Sequence, residues 1–558
     1  MAQDSAHTIV IVGGVAGGAS AAARARRCNE HAQIIMFERD EHVSFANCGL
    51  PYYIGGDIQD RSKLLVASPR LFRDRFNIDV RTRLEVTSID RARRRAGVVN
   101  RESGASFEQP YDKLILAPGA SPILPPIEGI DAPNVFSLRN LQDTDRVKNF
   151  LEDREVRRVV VVGAGFIGLE MVEMFRKLQM SVSLVERSPQ VLIPLDVEMA
   201  RMVERELRKE GVGLYLDNGL EGFELEAKAV RKVRLQDGTA LDADVVFIGI
   251  GVRPNTKLAA DAGLELGPGG GIRVDEHLRT SDPDIYAVGD AVEYTHTVAD
   301  MPMRIPLAGP ANRAGRLAGE HAATGSARPM APVLGTAIVR VFGVTAAVTG
   351  CNTHCVRQLN GSARSVWVRA PHHAGYYPGA QAMTIKLLYQ PEDQKLLGAQ
   401  IVGGAGVDKR IDVIATAIQM GATVQDLTDL DLAYAPPFGS AKDPVHMAGF
   451  AATNELGGLV RFLEPGADLS GHQVVDVRTD KEVARDPIPG LPHARHIPLD
   501  ALRRRVGELD PERPTVTVCA SGLRSYIAAR MLSLLGFSDV ADLGGGVLMR
   551  TIQLENRP

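Results

Sequence analysis

Short apolar runs alternate with amphipathic stretches along most of the chain, the pattern of parallel α/β folds. Residues 7–12 are an apolar run ending in Gly13-Gly14-Val15-Ala16-Gly17-Gly18, and an Ala/Arg-rich stretch of helical spacing follows. A second run, Gln33–Glu38, completes a βαβ unit with an acid at the end of its second strand. The unit recurs: strand Arg158–Val162, turn Gly163-Ala164-Gly165-Phe166-Ile167-Gly168, a helix predicted over 169–179 and a strand over 181–186. The acid stands 25 residues after the first glycine in one copy and 23 in the other. Residues 114–120 and 244–253 are further strands running into turns, and 280–290 closes this half. From 332 to 452 the pattern turns β-rich and then helical over 409–420. A boundary follows at 457–471, and the remainder is a small α/β unit opening on a strand at 473–477.

Composition adds limits rather than identity. The 558 residues imply about three to four domains. Hydrophobic residues at 45% and charged residues at 24% exclude a disordered, collagenous or coiled-coil chain. Net charge of −4 gives no reason to expect nucleic acid. Glycine, at 55 residues, exceeds its usual share of about 7%, and many of the glycines follow apolar runs, where turns are tight. No stretch reaches the ~18 apolar residues of a membrane helix, so no membrane is expected. Asp4, with no Lys or Arg before the first apolar run, argues against a leader. Five cysteines make no disulfide framework, which sets a cytoplasmic, reducing compartment as the expectation. No metal cluster is expected either, and His372-His373 reads as a surface or interface pair. Cys28, Cys351 and Cys355 match no ligand spacing.

A glycine turn at a helix N-terminus lets backbone amides approach a pyrophosphate, and the acid after strand two can accept from a ribose hydroxyl. Gly163, Gly165, Gly168 and Glu186 fit that fingerprint fully. The first copy departs from it, because Val15 takes the place of the middle glycine. A lone glycine turn can be structural; two in strand–turn–helix context argue for two dinucleotides. Glu186 favours NADH through the 2′-hydroxyl, whereas Arg187 beside it suits a 2′-phosphate, so NADH and NADPH both stay open.

These two folds, together with Thr280-Ser281-Asp282-Pro283-Asp284-Ile285-Tyr286-Ala287-Val288-Gly289-Asp290, resemble the FAD/NAD(P)H-dependent disulfide reductases. The resemblance covers residues 7 to about 453. It implies FAD on Gly13, Gly14, Gly18, Glu38, Arg39, Ala117, Gly119 and Asp290, with Asp290 at the ribityl chain. It implies NAD(P)H on Gly163, Gly165, Ile167, Gly168, Glu186, Arg187 and Gly251. The implied fold class is α/β: two Rossmann-like domains (FAD over 1–120 and 258–325, NAD(P) over 121–257) and an α+β dimerisation domain over 331–453. A linker over 454–471 and a C-terminal α/β domain over 472–558 complete the expected order. A homodimer is implied by the family alone.

Most of that family uses a Cys-x4-Cys pair. Here Ser44-Phe45-Ala46-Asn47-Cys48-Gly49-Leu50-Pro51-Tyr52-Tyr53 holds one cysteine. A single thiolate near a flavin can attack a disulfide or persulfide and hold the mixed disulfide; the plainer alternative is a small core cysteine. The string is similar to the coenzyme A disulfide reductases, the single-cysteine branch. NADH oxidases and peroxidases share its core but carry a histidine in the first glycine turn, which this chain lacks. That branch implies paired tyrosines over the cysteine from the partner subunit, here Tyr376 and Tyr434, which would stabilise or protonate the departing thiolate; the plainer alternative is packing at a subunit interface. It also implies substrate contacts at Ser20, Arg24, Arg27, Ser44, Asn47 and Lys442. Arg24, Arg26 and Arg27 have a plainer alternative as a solvated basic face. Asn312 stands where some relatives have a histidine.

Cys519-Ala520-Ser521-Gly522-Leu523-Arg524-Ser525 follows an apolar strand and opens a helix, where dipole and amides favour thiolate. With Asp476-Val477-Arg478, residues 496–499 and Leu543-Gly544-Gly545-Gly546, it resembles a rhodanese active-site loop. The resemblance implies a persulfide on Cys519 and an anion held by Arg524. Cys519 to Arg524 spans six residues, one fewer than phosphatases of this fold use. The expected whole is therefore a flavoenzyme joined to a rhodanese domain, using FAD and NADH or NADPH. Its expected substrates are coenzyme A disulfide, coenzyme A persulfide or polysulfide. An NADH oxidase or peroxidase cycling Cys48 through sulfenic acid is the rival, and a redox-sensing or sulfur-carrier protein is a second.

Overall fold

The computed structural model describes residues 7–491 and 493–555; Asp4 lies outside the described residues. The chain divides into two compact units, Met1–Arg187 with Tyr215–Gly335 and Ser188–Leu214 with Thr336–Pro558.

The first unit holds both copies of the βαβ pattern. β1 (Thr8–Val12) is central in its sheet, with Ile9, Val10 and Ile11 wholly buried, as a strand covered on both faces must be. It pairs in parallel with β2 (Gln33–Glu38) and β3 (Lys113–Leu116), at Ile9↔Ile34 and Ile9↔Lys113. α1 (Ala16–Cys28) leaves the first turn. The second copy is built alike. β4 (Arg158–Val162) lies between β5 (Ser181–Val185) and β6 (Val245–Ile248), all parallel. α2 (Phe166–Lys177) starts three residues earlier than the predicted 169, because Gly165 itself caps the helix and the turn passes straight into it. β7 (Ile285–Ala287) adds to the first sheet beside β3. α3 (Ala308–Thr324) packs on α1 through small residues. A Cβ on Gly315 or Gly319 would stand 2.1 or 2.2 Å from the carbonyl oxygens of Gly17 and Ala21.

The second unit carries two sheets. β8 (Ala337–Val341), β9 (Val344–Gly350), β10 (Arg364–Pro371), β11 (Ala382–Tyr389) and β12 (Leu396–Gly403) form an antiparallel sheet in the order β8-β9-β12-β11-β10. The six-residue α4 (Thr353–Gln358) follows β9. α5 (Val407–Gln419), close to the predicted helix, and α6 (Pro444–Leu456) lie against that sheet. The connector expected over 454–471 carries structure of its own. α6 runs into it, and β13 (Arg461–Leu463) pairs with the last sheet. That sheet is parallel, in the order β13-β17-β16-β14-β15, where β14 is Gln473–Asp476, β15 Arg495–His496, β16 Thr515–Val518 and β17 Val540–Leu543. α7 (Leu523–Leu534) and α8 (Gly546–Leu554) follow β16 and β17. Apolar clusters around Val475 and Val516 form its core.

Candidate active site

The two glycine turns are superimposable in their chemistry. Gly13 and Gly163 have φ of +96° and +106°, and a Cβ on them would stand 2.1 and 2.3 Å from the carbonyl oxygens of Ala117 and Gly249. Only glycine fits that backbone. The strand-two acids also match: the Gly14 amide donates to Glu38 Oε2 at 2.8 Å, and the Ala164 amide donates to Glu186 Oε2 at 2.8 Å. Each acid therefore ties its strand to its turn. Around Gly165 a Cβ would meet open space, the condition for close approach of a ligand. Arg187 is exposed and Glu186 half-buried. Ile167, also exposed, lies in the first turn of α2. Gly251 accepts the Ile123 amide at 3.0 Å.

The first turn opens on a cavity of about 720 Å³ lined by Val15, Gly13, Glu38, Arg39, Ala117, Gly119 and Asp290. Burial raises the Glu38 and Asp290 carboxyls above the usual range, with Arg139 pulling Asp290 back down. Arg139, which lines the same cavity, is lowered by its own burial. Apposed, half-desolvated charges beside a helix N-terminus suit a long ligand with hydroxyl and phosphate groups. A nucleotide with an adenosine ribose and a pyrophosphate fits these donors and acceptors.

Cys48 lies in a 3₁₀ turn, Asn47–Gly49, at the edge of this cavity, which Asn47 lines. The thiol is exposed. Partial desolvation raises its pKa, and the carboxylates of Glu170 and Asp290 add to the rise. Tyr52 donates to Glu170 at 2.9 Å. Ser44, at φ +46°, donates its amide to Gly14 at 2.8 Å, which anchors the cysteine loop on the glycine turn.

Other predicted substrate residues have partners within the chain. Ser20 donates to Asn312 at 2.6 Å, Arg24 binds Glu320 at 2.9 and 2.7 Å, and Arg27 stacks on Phe76 at 5.2 Å. Arg26 corrects the reading of a solvated basic face: it is buried and donates to the carbonyls of Asn29, Glu30, Phe76 and Asn77.

In the second unit, Tyr376 and Tyr434 share a hydrogen bond between hydroxyls at 3.2 Å, and that bond raises the Tyr376 pKa. Both are exposed, as are Tyr377 and Phe438. Their loops are joined from below by Arg410, which is wholly buried. It donates to Asp443 at 3.2 and 2.7 Å and to the His372 carbonyl at 2.6 Å. Lys442, next to Asp443, is exposed. His373 is buried rather than a surface residue, because it packs beneath this loop against Tyr377, ring centroids 5.5 Å apart.

Cys519 immediately follows β16 and is buried. The Gly522 amide donates to Sγ at 3.1 Å and the Ser525 hydroxyl at 3.3 Å. Val547 and Leu548 amides bond to the Cys519 and Ala520 carbonyls. A Cβ on Gly546 would stand 2.4 Å from the Cys519 oxygen. Arg524 makes two bonds to Glu482, at 2.8 and 2.6 Å, and holds that carboxyl down to about 2.

The family model for "pyridine nucleotide-disulphide oxidoreductase" matches residues 7–315, and the model for the dimerisation domain of that family matches 336–444. The chain belongs to the pyridine nucleotide-disulphide oxidoreductases. A rhodanese-like domain model matches residues 463–548 of this oxidoreductase. It is 36% identical over 444 residues to the coenzyme A disulfide reductase of Staphylococcus aureus (strain bovine RF122 / ET3-1), covering 80% of this chain and 99% of that one. Reduced Bacillus anthracis CoADR-RHD is similar at 44% identity and TM-score 0.95, over 99% of this chain and 98% of that one. A NAD-dependent persulfide reductase from A. fulgidus is similar at 38% identity and TM-score 0.91, over 97% and 99%. The oxidoreductase works with FAD and NAD(P)H.

Sequence reasoning located the glycine turns and both candidate cysteines of the oxidoreductase. It missed Glu170 and Arg139, which carry no motif and come near Cys48 and Asp290 only through folding. It also missed Glu482 and Asp542 in the C-terminal domain. Asp542 is wholly buried, with its carboxyl pushed well up by desolvation.

Proposed function

We propose that this oxidoreductase uses NAD(P)H to reduce sulfur–sulfur bonds carried by coenzyme A, in the disulfide and the persulfide, and in polysulfide. The observation that carries the reading is the single exposed thiol of Cys48 at the rim of the first-turn cavity. The other cysteine of its unit, Cys28, ends α1. Lacking a neighbouring second thiol, Cys48 must hold its product as a mixed disulfide with the substrate. Similarity to a coenzyme A disulfide reductase and to a NAD-dependent persulfide reductase supports the same chemistry.

Gly13, Gly14 and Gly18 with Glu38, Arg39, Ala117, Gly119 and Asp290 would hold FAD. Gly163, Gly165, Ile167 and Gly168 with Glu186, Arg187 and Gly251 would hold NAD(P)H. Bound there, the two cofactors supply the electron pair that returns Cys48 to a thiolate. The Cys48 thiolate attacks one sulfur of the substrate bond. From the disulfide one coenzyme A thiolate leaves; from the persulfide sulfide leaves; each leaves coenzyme A bound to Cys48. Tyr376 and Tyr434 of the partner subunit in a homodimer protonate departing coenzyme A. The exposed aromatic face that carries them is of a kind usually covered by another protein surface. Ser20, Arg24, Arg27, Ser44, Asn47 and Lys442 would contact coenzyme A. For Arg24 that requires sharing the guanidinium with Glu320. Cys519 takes sulfane sulfur as a persulfide, with Arg524 close by, and passes it to coenzyme A or towards Cys48.

The test is anaerobic NAD(P)H oxidation with coenzyme A persulfide and hydrogen peroxide as competing oxidants. Fast turnover with persulfide, releasing sulfide and coenzyme A, is expected. Fast turnover with peroxide alone overturns the reading and reassigns Cys48 to sulfenic acid chemistry. Cys519→Ser is expected to lose polysulfide turnover and keep coenzyme A disulfide reduction; full polysulfide turnover would refute the sulfur relay.

A further inference from the structure

Two cysteines lie outside all of this chemistry, and the fold brings them together. Cys351 follows the last residue of β9, and Cys355 lies in the first turn of α4. Their sulfurs stand 2.7 Å apart, in close contact, whereas a disulfide bond is about 2.05 Å long. Forming the bond therefore needs an approach of well under an ångström. Two features fix the geometry. The Cys351 amide donates to the Leu397 carbonyl at 2.9 Å, pinning that end to β12. The Asn352 side chain accepts the Cys355 amide at 2.8 Å, pinning the other end. The two thiols differ in access: Cys351 is buried and Cys355 half-buried. The greater access of Cys355 makes it the attacking sulfur, and the contact between the sulfurs lowers its pKa while raising that of Cys351.

We propose that Cys351 and Cys355 are a second redox couple, which low-molecular-weight disulfides oxidise to an intramolecular disulfide independently of Cys48. The Cys355 thiolate attacks one sulfur of RS–SR, the bond between those sulfurs breaks, and RS⁻ leaves. The Cys351 sulfur then attacks Cys355 Sγ in the mixed disulfide, and the second RS⁻ leaves. The two cysteines lose two electrons and two protons, and both appear in two RSH. Excess thiol drives the reverse exchange. The couple thus reads the thiol–disulfide balance around the protein.

The loop that the bond would close has a structural task. Asn352 donates to the Pro194 carbonyl at 3.2 Å, and the Thr353 hydroxyl donates to Asp196 at 2.7 Å. Asp196 immediately precedes the helix Val197–Lys209 and also bonds Lys386 and Gln400. Oxidation would therefore staple the loop that holds the start of this helix.

Both cysteines fall in one tryptic peptide, residues 341–357, which contains no other cysteine. The experiment treats the full-length holoenzyme, and its Cys48→Ser variant, with excess 2-hydroxyethyl disulfide. Free thiols are then alkylated in denaturant and the peptide is weighed. The expected result in both proteins is a peptide lighter by two hydrogens, with no alkyl groups. Added thiol should restore two alkylation sites. Two alkyl groups after disulfide treatment, or a mixed disulfide that stops at Cys355, would overturn the proposal. Loss of the cross-link only in Cys48→Ser would overturn its independence from Cys48. The oxidised holoenzyme should also melt higher than the reduced one, and Cys351→Ser should remove that difference.

Discussion

Cys48 shows how a residue's surroundings set its chemistry. A free thiol titrates near 8.5, and here desolvation and the charges of Glu170 and Asp290 disfavour the thiolate. In the flavin-free protein, alkylation of Cys48 by iodoacetamide should therefore speed up with pH through a midpoint above that of free cysteine. Glu170→Gln removes a neighbouring negative charge and should lower the midpoint; an unchanged midpoint would show that the carboxylate is screened. Burial shifts Asp542 in the same direction. It ionises near 3.9 when unfolded, and burial raises its pKa well above that in the fold. The folded state thus binds the extra proton, and stability falls as pH rises from about 4 towards the folded value. Thermal melts of Asp542→Asn should lack that part of the pH dependence.

At the scale of elements, buried ion pairs join segments distant in sequence. Arg410 in α5 holds Asp443 at the start of α6 and the carbonyl of His372, so one guanidinium fixes both tyrosine loops. Removing one partner of such a pair leaves the other charge buried and typically costs about 3–5 kcal/mol. Arg410→Ala should lower stability by that order in denaturant titration. It should also separate Tyr376 from Tyr434, which a rise in phenol exposure would report. Lys386 plays a comparable part, binding Asp196 and Glu198 while its ammonium lies 5.0 Å over the Trp367 ring. Trp367 in turn fills the space that a Cβ on Gly544 would need, which ties the antiparallel sheet to the segment behind the Cys519 loop.

For the whole molecule, the tyrosine pair gives the sharpest prediction. If Tyr376 and Tyr434 act on the Cys48 of a second copy, a Cys48→Ser dimer and a Tyr376→Phe/Tyr434→Phe dimer are each impaired for a different reason. Dissociating and reassociating the two together should produce hybrids that regain coenzyme A disulfide reduction above either parent. Activity no higher than the sum of the parents would place the tyrosines over the cysteine of their own chain or outside the reaction.

How much of this was legible in the sequence follows from the range of the interactions. The glycine turns, their acids and the Cys519 loop are local: steric limits on φ and the geometry of a helix N-terminus act over a few residues, so spacing alone reveals them. The predicted start of α2 falls three residues late because the glycine turn passes straight into the helix, with Gly165 as its cap, and so the last residues of the glycine motif read as turn. The sequence by itself thus determined the duplicated α/β plan and the local turns in which Cys48 and Cys519 stand. Tertiary structure decided that Glu170 and Asp290 lie near Cys48, that Arg26 is a buried structural cation and that Cys351 and Cys355 touch. Charge repulsion, desolvation and sulfur contact depend on distances through space, and no spacing along the chain encodes those distances.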